Sequence, residues 1–110
     1  MASSYKVLGQ SRPADTTATD LYTVPSGGQV VVSTIAVANT TALTATFRVF
    51  VRQDGAAADE STALVFDSAI AKNSTTTLTL GITADAGDII SVATGTGNAI
   101  TFTAFGLEIV

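Results

Sequence analysis

Apolar side chains in this chain recur at every second position, in short stretches separated by polar, glycine-containing clusters. A β-strand turns successive side chains to opposite faces, so a period of two predicts strands; a helix would need apolar positions three and four apart. The first stretch is residues 5–10, ended by the polar, Pro13-containing segment through Asp15. Residues 19–24 form a second, closed by Pro25-Ser26-Gly27-Gly28, residue types that favour turns. The longest is Gln29–Asn39. Unbroken alternation there puts Val31, Ser33, Ile35 and Val37 on one face and Val30, Val32, Thr34 and Ala36 on the other. Both faces are apolar enough to predict a central strand.

Residues 43–53 alternate more plainly, with Phe47, Val49 and Val51 expected in the core and Thr46, Arg48, Phe50 and Arg52 on the opposite face. Asp54-Gly55 opens a loop that runs to Ser61, in which Ala56-Ala57-Ala58-Asp59-Glu60 has room for one helical turn. Residues 63–69 form a fifth strand, and Lys72-Asn73-Ser74 connects it to residues 75–81, where Leu78, Leu80 and then Ile82 alternate with Thr77 and Thr79. Residues 84–88 read as a turn. Ile89–Thr94 and Ile100–Ile109 close the chain, and Gly95-Thr96-Gly97-Asn98 between them predicts a hairpin. About eight short strands with regular turn punctuation predict an all-β fold, a single antiparallel sandwich or barrel spanning 1–110. Arg12-Pro13 interrupts pairing after the first strand, so part of residues 1–15 is expected to reach away as an N-terminal arm.

Composition changes the picture in one respect. Hydrophobic residues are 46% of the chain and charged residues 13%, about half the usual charged share. Threonine and serine break every apolar run well short of a membrane helix, so no membrane partner is expected. The opening Met1-Ala2-Ser3-Ser4-Tyr5-Lys6 lacks the basic start and apolar core of a signal peptide, which predicts synthesis and assembly in a cytoplasm. Net charge is −4, and Lys6, Arg12, Arg48, Arg52 and Lys72 are scattered, which argues against a nucleic-acid partner. Neutral, threonine-clad strands with few lysines on their edges favour packing against other chains.

Catalytic chemistry finds little to work with. The chain has no histidine and no cysteine, which removes the commonest general base, the thiol nucleophile and the soft metal ligands. Ser74 near Lys72 reads as a solvated turn. Asp85 and Asp88 read as turn caps that accept backbone hydrogen bonds. Asp54, Asp59 and Glu60 share a loop that could offer oxygen ligands to calcium, although the spacing is not that of an EF-hand. Neither an enzyme nor a bound cofactor is expected. Candidate interface residues are Tyr5, Tyr22, Arg48, Phe50 and Arg52, because aromatics and arginine are the residue types that interfaces favour. Arg48 and Arg52 could equally cover their own sheet with their stems.

Several segments carry a resemblance. Tyr5-Lys6-Val7-Leu8-Gly9-Gln10, Thr19-Asp20-Leu21-Tyr22-Thr23-Val24-Pro25, Ile35-Ala36-Val37-Ala38-Asn39 leading to Phe47-Arg48-Val49, and Thr101-Phe102-Thr103-Ala104-Phe105-Gly106 are similar to small virion structural proteins of tailed bacteriophages, cyanophages among them. The resemblance covers most of the chain and includes no catalytic or ligand-binding motif. It implies a jelly-roll-like β-sandwich that assembles on a virion, as a capsid decoration (cement) protein or as a neck, tail or baseplate component; decoration is the leading expectation. Its implied partners are itself, as a homotrimer, and the major capsid protein or other virion subunits. A neck, tail or baseplate component is the alternative within that family. A host-surface or carbohydrate-binding sandwich is the alternative outside it, weakened by the absence of tryptophan for stacking on sugar rings.

Overall fold

A computed structural model describes residues 2–110, which form nine strands and two short 3-10 turns. The strands are β1 (Ser3–Ser11), β2 (Thr19–Thr23), β3 (Gln29–Asn39), β4 (Ala45–Arg52), β5 (Ala63–Ile70), β6 (Thr75–Leu78), β7 (Ile82–Asp85), β8 (Ile89–Thr94) and β9 (Ile100–Ile109). They build two antiparallel sheets. The first has the order β1-β9-β3, with β6 and β7 sharing the far side of β3; the second has the order β2-β8-β4-β5. With β6 and β7 counted as one interrupted strand, first pairs with last, second with next to last, and so inward to β4 with β5. That nesting is the jelly roll, a long hairpin folded over on itself. The expected β-sandwich is therefore the fold, and β3 is central as its two apolar faces predicted.

Its connections correct one expectation. β8 and β9 lie in different sheets, so Gly95–Asn98 is a crossover and not a hairpin. The amides of that loop bond elsewhere: Gly95 N–H donates to the Thr46 carbonyl at 2.9 Å and Asn98 N–H to the Pro13 carbonyl at 2.9 Å. Only β4 and β5 follow one another in sequence and also pair.

The core is the space between the sheets. Phe47 from the second sheet meets Phe102 from the first edge-to-face, with ring centroids 6.2 Å apart and planes at 62°. Ile35, Val37, Val49, Ile90, Val92 and Ile100 are fully buried around them. Val51, expected in this core, only packs partly buried at its margin.

Unbroken alternation along β3 does not hold. Val30 and Val32 point into the core, but so do Ile35 and Val37, which have the other parity. The cause is a β-bulge. Val32 pairs with Gly106 and Thr34 with Phe105, leaving Ser33 without a partner on β9. One extra residue shifts the phase and brings both Val30 with Val32 and Ile35 with Val37 inward. On the other side of β3 the ladder also fails there: β7 pairs up to Val32, β6 resumes at Ile35, and Gly81 between them has φ +63°. This is why the expected sixth strand is two, and why Ala84 and Asp85 belong to β7 and not to a turn. A side chain at Gly106 would collide with the Val31 carbonyl, so the bulge also demands glycine opposite it.

Polar residues close the ends. Asn39 is buried; its side-chain amide donates to the carbonyls of Leu43 (2.8 Å), Ile70 (3.1 Å) and Ala71 (3.3 Å), and its oxygen accepts from the Thr41 amide and hydroxyl. One side chain thus fastens the end of β3 to the end of β5 in the other sheet.

The expected N-terminal arm also needs correcting, Met1 lying outside the described residues. Residues from Ser3 to Ser11 pair along the chain's own β9, and beyond them Arg12 donates to the Asn98 carbonyl at 2.8 Å. Pro13 ends the strand without releasing the segment, because its carbonyl still accepts from Asn98. The alanine-rich loop holds no helical turn of its own; 3-10 turns flank it at Gln53–Gly55 and Glu60–Thr62.

Two substitutions should separate these contributions in urea unfolding. Phe102→Ala is expected to cost about 3–5 kcal/mol, because the rings around it cannot collapse into the void. Asn39→Ala is expected to cost about 2–3 kcal/mol, because buried carbonyls lose their donor.

Candidate interaction surface

The outer face of the second sheet holds three of the five candidate residues, and it uses them internally. Arg48 lies beside Phe66, its guanidinium carbon 3.9 Å from the ring centroid, and grips Asp67 with two hydrogen bonds, Nε to Oδ1 at 2.7 Å and Nη2 to Oδ2 at 3.0 Å. Those hydrogen bonds hold the Asp67 carboxyl below its ordinary range, against some desolvation and with help from the Arg48 charge. Asp67 can reach Arg48 because it stands out of register in β5 with φ +54°. An open depression of about 220 Å³ lies beside this pair, lined also by Thr16, Ala93 and Gly95.

Arg52 is a clip. Its guanidinium donates to Asp20 at 3.0 Å, to the Ser91 hydroxyl at 3.2 Å and to the carbonyls of Ala56 and Gly55 at 2.6 and 3.3 Å. It therefore ties β2, β8 and the β4–β5 loop together. Phe50 points to the same face, opposite Ser91 and Ala63, yet is only 2% exposed. As a surface anchor it is ruled out: the loop that Arg52 draws back, with its turn at Glu60–Thr62, packs beside β4.

The acidic residues serve turns. Asp59 caps the following 3-10 turn, accepting from the Ser61 hydroxyl and from the Ser61 amide at 2.9 Å, and these bonds, the hydroxyl's first, lower its pKa against some desolvation. Asp88 accepts from the amides of Asp54 (2.9 Å) and Asp85 (3.0 Å), and Asp85 from that of Ala86 (2.9 Å), as expected of turn caps. Among the described residues no three acidic side chains converge in a way that could hold a metal ion. The Ser74 hydroxyl donates to the Lys72 carbonyl within its own turn.

The outer face of the first sheet is different. Tyr5 is 87% exposed and Val7 53%; they lie opposite Leu107 and Phe105 on β9, and Phe105 is itself 39% exposed. With Ser33 and Lys6 they line an open groove of about 390 Å³. Lys6 borders this groove, but Lys6 and Glu108 alternate to the other side of the strands from Tyr5 and Val7. There Lys6 Nζ meets Glu108 Oε1 at 2.6 Å, and the Tyr22 hydroxyl donates to Glu108 Oε2. Tyr22 is thus an inter-sheet tie, half-buried, and Tyr5 is the one candidate left fully presented to solvent.

Two members of this surface, Val7 and Phe105, escaped the sequence reading. Phe105 was recoverable: Ile100, Phe102, Ala104 and Gly106 alternate inward, which leaves Phe105 outward. Val7 becomes part of the same patch only through its pairing with Phe105. Among the described residues no helix is long and apolar enough to cross a membrane. Comparison with family models, with curated proteins and with solved structures finds no match.

The Tyr22–Glu108–Lys6 tie sets a pH window. Hydrogen bonds from Lys6 and Tyr22 lower the Glu108 pKa, desolvation opposing and the Lys6 charge assisting; burial, then the bond and charge of Glu108, raise that of Tyr22. The Glu108 contribution is fully present above the ordinary carboxylate range and is lost as pH falls through its depressed native value. The Tyr22 contribution is fully present below the ordinary phenol value, near 10, and is lost as pH rises beyond it. Urea unfolding across pH should show Tyr22→Phe abolishing the alkaline limb and weakening the acid limb, and Glu108→Gln abolishing the acid limb and weakening the alkaline one.

Proposed function

We propose that this chain is a structural subunit of a tailed-phage virion that stabilises the particle by binding assembled subunits, as a capsid decoration (cement) protein. The observation that carries the binding role is the apolar row of Tyr5, Val7 and Phe105 on the outer face of the first sheet. Exposed apolar side chains set side by side favour a protein contact, and an open, shallow groove suits a broad protein partner better than a small ligand, which needs an enclosing cleft. The virion assignment draws on the similarity of the sequence segments to phage structural proteins. The jelly roll adds support, since viral capsid proteins use it, although lectins use it as well. In this reading the major capsid protein is the partner and the row on β1 and β9 supplies the apolar centre of the contact.

The test is co-sedimentation of the purified protein with empty capsid shells and, separately, with tail assemblies. The expected result is saturable pelleting with shells, weakened about tenfold or more by Phe105→Ser while the far-UV spectrum stays that of a β-protein. Pelleting with tails or necks alone would move the protein to that part of the virion. Binding to neither, together with specific glycan binding, would replace the virion reading by a host-surface one.

A further inference from the structure

A jelly roll of this kind has four sheet edges, and three of them carry features that discourage pairing with another chain. β2 is five residues long and bulged between Asp20 and Tyr22. β5 loses register twice against β4 and contains Asp67 in a left-handed conformation. The edge formed by β6 and β7 is broken at Gly81. The fourth edge, β1, is regular from Ser3 to Val7: its only register shift comes after Val7, and every residue in this run is exposed. Beyond the bulge, β1 turns against β2 so closely that a side chain at Gly9 would strike the Leu21 carbonyl. The open edge is therefore one short, straight run.

Its hydrogen-bonding register follows from its first pair. Ala2 and Val110 exchange both of their backbone hydrogen bonds. In an antiparallel ladder bonded and non-bonded pairs alternate, so Ser4 and Lys6 bond to β9, while Ser3, Tyr5 and Val7 turn their N–H and C=O groups to the free edge. Lys6, the residue that would guard this edge, has its ammonium drawn to the inner side by Glu108.

We propose that this edge pairs with the same edge of a second copy, antiparallel about a two-fold axis through Tyr5. In that register Tyr5 opposes Tyr5 of the second copy and Ser3 opposes Val7, so all of the free N–H and C=O groups of these residues find partners. The register centred on Lys6 would set two lysines face to face and leave Ser3 opposite Gly9, beyond the straight run; the one centred on Ser4 would pair only Ser3 with Tyr5 within that run. The Tyr5 side chains then meet on the outer face, continuous with Val7 and Phe105, and the first sheets of two copies become one. An isologous contact of this kind closes at two copies, unlike the homotrimer that the phage resemblance implies. The inference is independent of the virion reading, because it concerns the isolated chain.

Sedimentation equilibrium over a wide concentration range, with amide hydrogen exchange, tests it. The expected result is a monomer–dimer equilibrium in which the Tyr5 and Val7 amides gain protection as the dimer fills. Tyr5→Pro removes an edge N–H that bonds to nothing within the chain, and Tyr5→Lys places two charges at the axis. Each should weaken dimerisation about tenfold or more with the β-spectrum unchanged, while Leu43→Lys, at an exposed loop position, should leave it unaltered. A monomer at every concentration, a trimer, or a dimer indifferent to both Tyr5 variants would overturn the inference.

Discussion

The gap between two packed sheets accepts one face of each strand, and the rest of this structure follows from meeting that demand with an imperfectly alternating sequence. β3 has valine at three successive positions, Val30 to Val32, then isoleucine at 35 and valine at 37. No single phase can bury Val30, Val32, Ile35 and Val37 together. The bulge at Ser33 resolves the conflict, and its consequences spread to both neighbours: Gly106 on β9 must lack a side chain, and the opposite strand divides into β6 and β7. The cost of the broken ladder is offset by burial of side chains worth about 1.5–3 kcal/mol each.

Polar groups then fix how the sheets are held at their ends. A sandwich closed only by apolar packing could slide, since that packing is non-directional. Asn39 at one point and the Tyr22–Glu108–Lys6 set at another supply directional contacts between the sheets. The few charges of this chain are largely engaged in the same way: Arg48 with Asp67 and Arg52 with Asp20 pin their own sheet and loops. Among what remains for other molecules are the apolar row of Tyr5, Val7 and Phe105 and the open edge of β1. These lie together on β1 and β9, so a face contact with one kind of partner and an edge contact with another copy would use neighbouring atoms and could be mutually reinforcing.

Strand existence, the sandwich and the centrality of β3 were legible in the sequence because they rest on local periodicity and on turn residues. Seven of the eight expected strands agree with the observed ones to within two residues at each end, three of them fully: Gln29–Asn39, Ile89–Thr94 and Ile100–Ile109. The failures were of another kind. The bulge at Ser33 has no local signature, because alternation and its interruption look alike in a run of β-branched residues. Gly95–Asn98 has the composition of a hairpin turn, but composition cannot say whether two strands joined by it lie in one sheet or in two. Phe50 and Arg52 were read as surface residues because parity gives the side of a sheet and not what covers it.

By itself, then, the sequence determined an all-β sandwich without histidine or cysteine and poor in charge. Tertiary structure alone decided which strands cross between sheets, which of the aromatics and arginines are consumed internally, and that Tyr5 stays presented while Phe50 does not. The division has a physical origin. Side-chain parity and turn preference act between neighbours in the chain, whereas coverage, register and pairing depend on residues such as Phe105 and Val7 that are far apart in sequence and adjacent only once the sheets have formed.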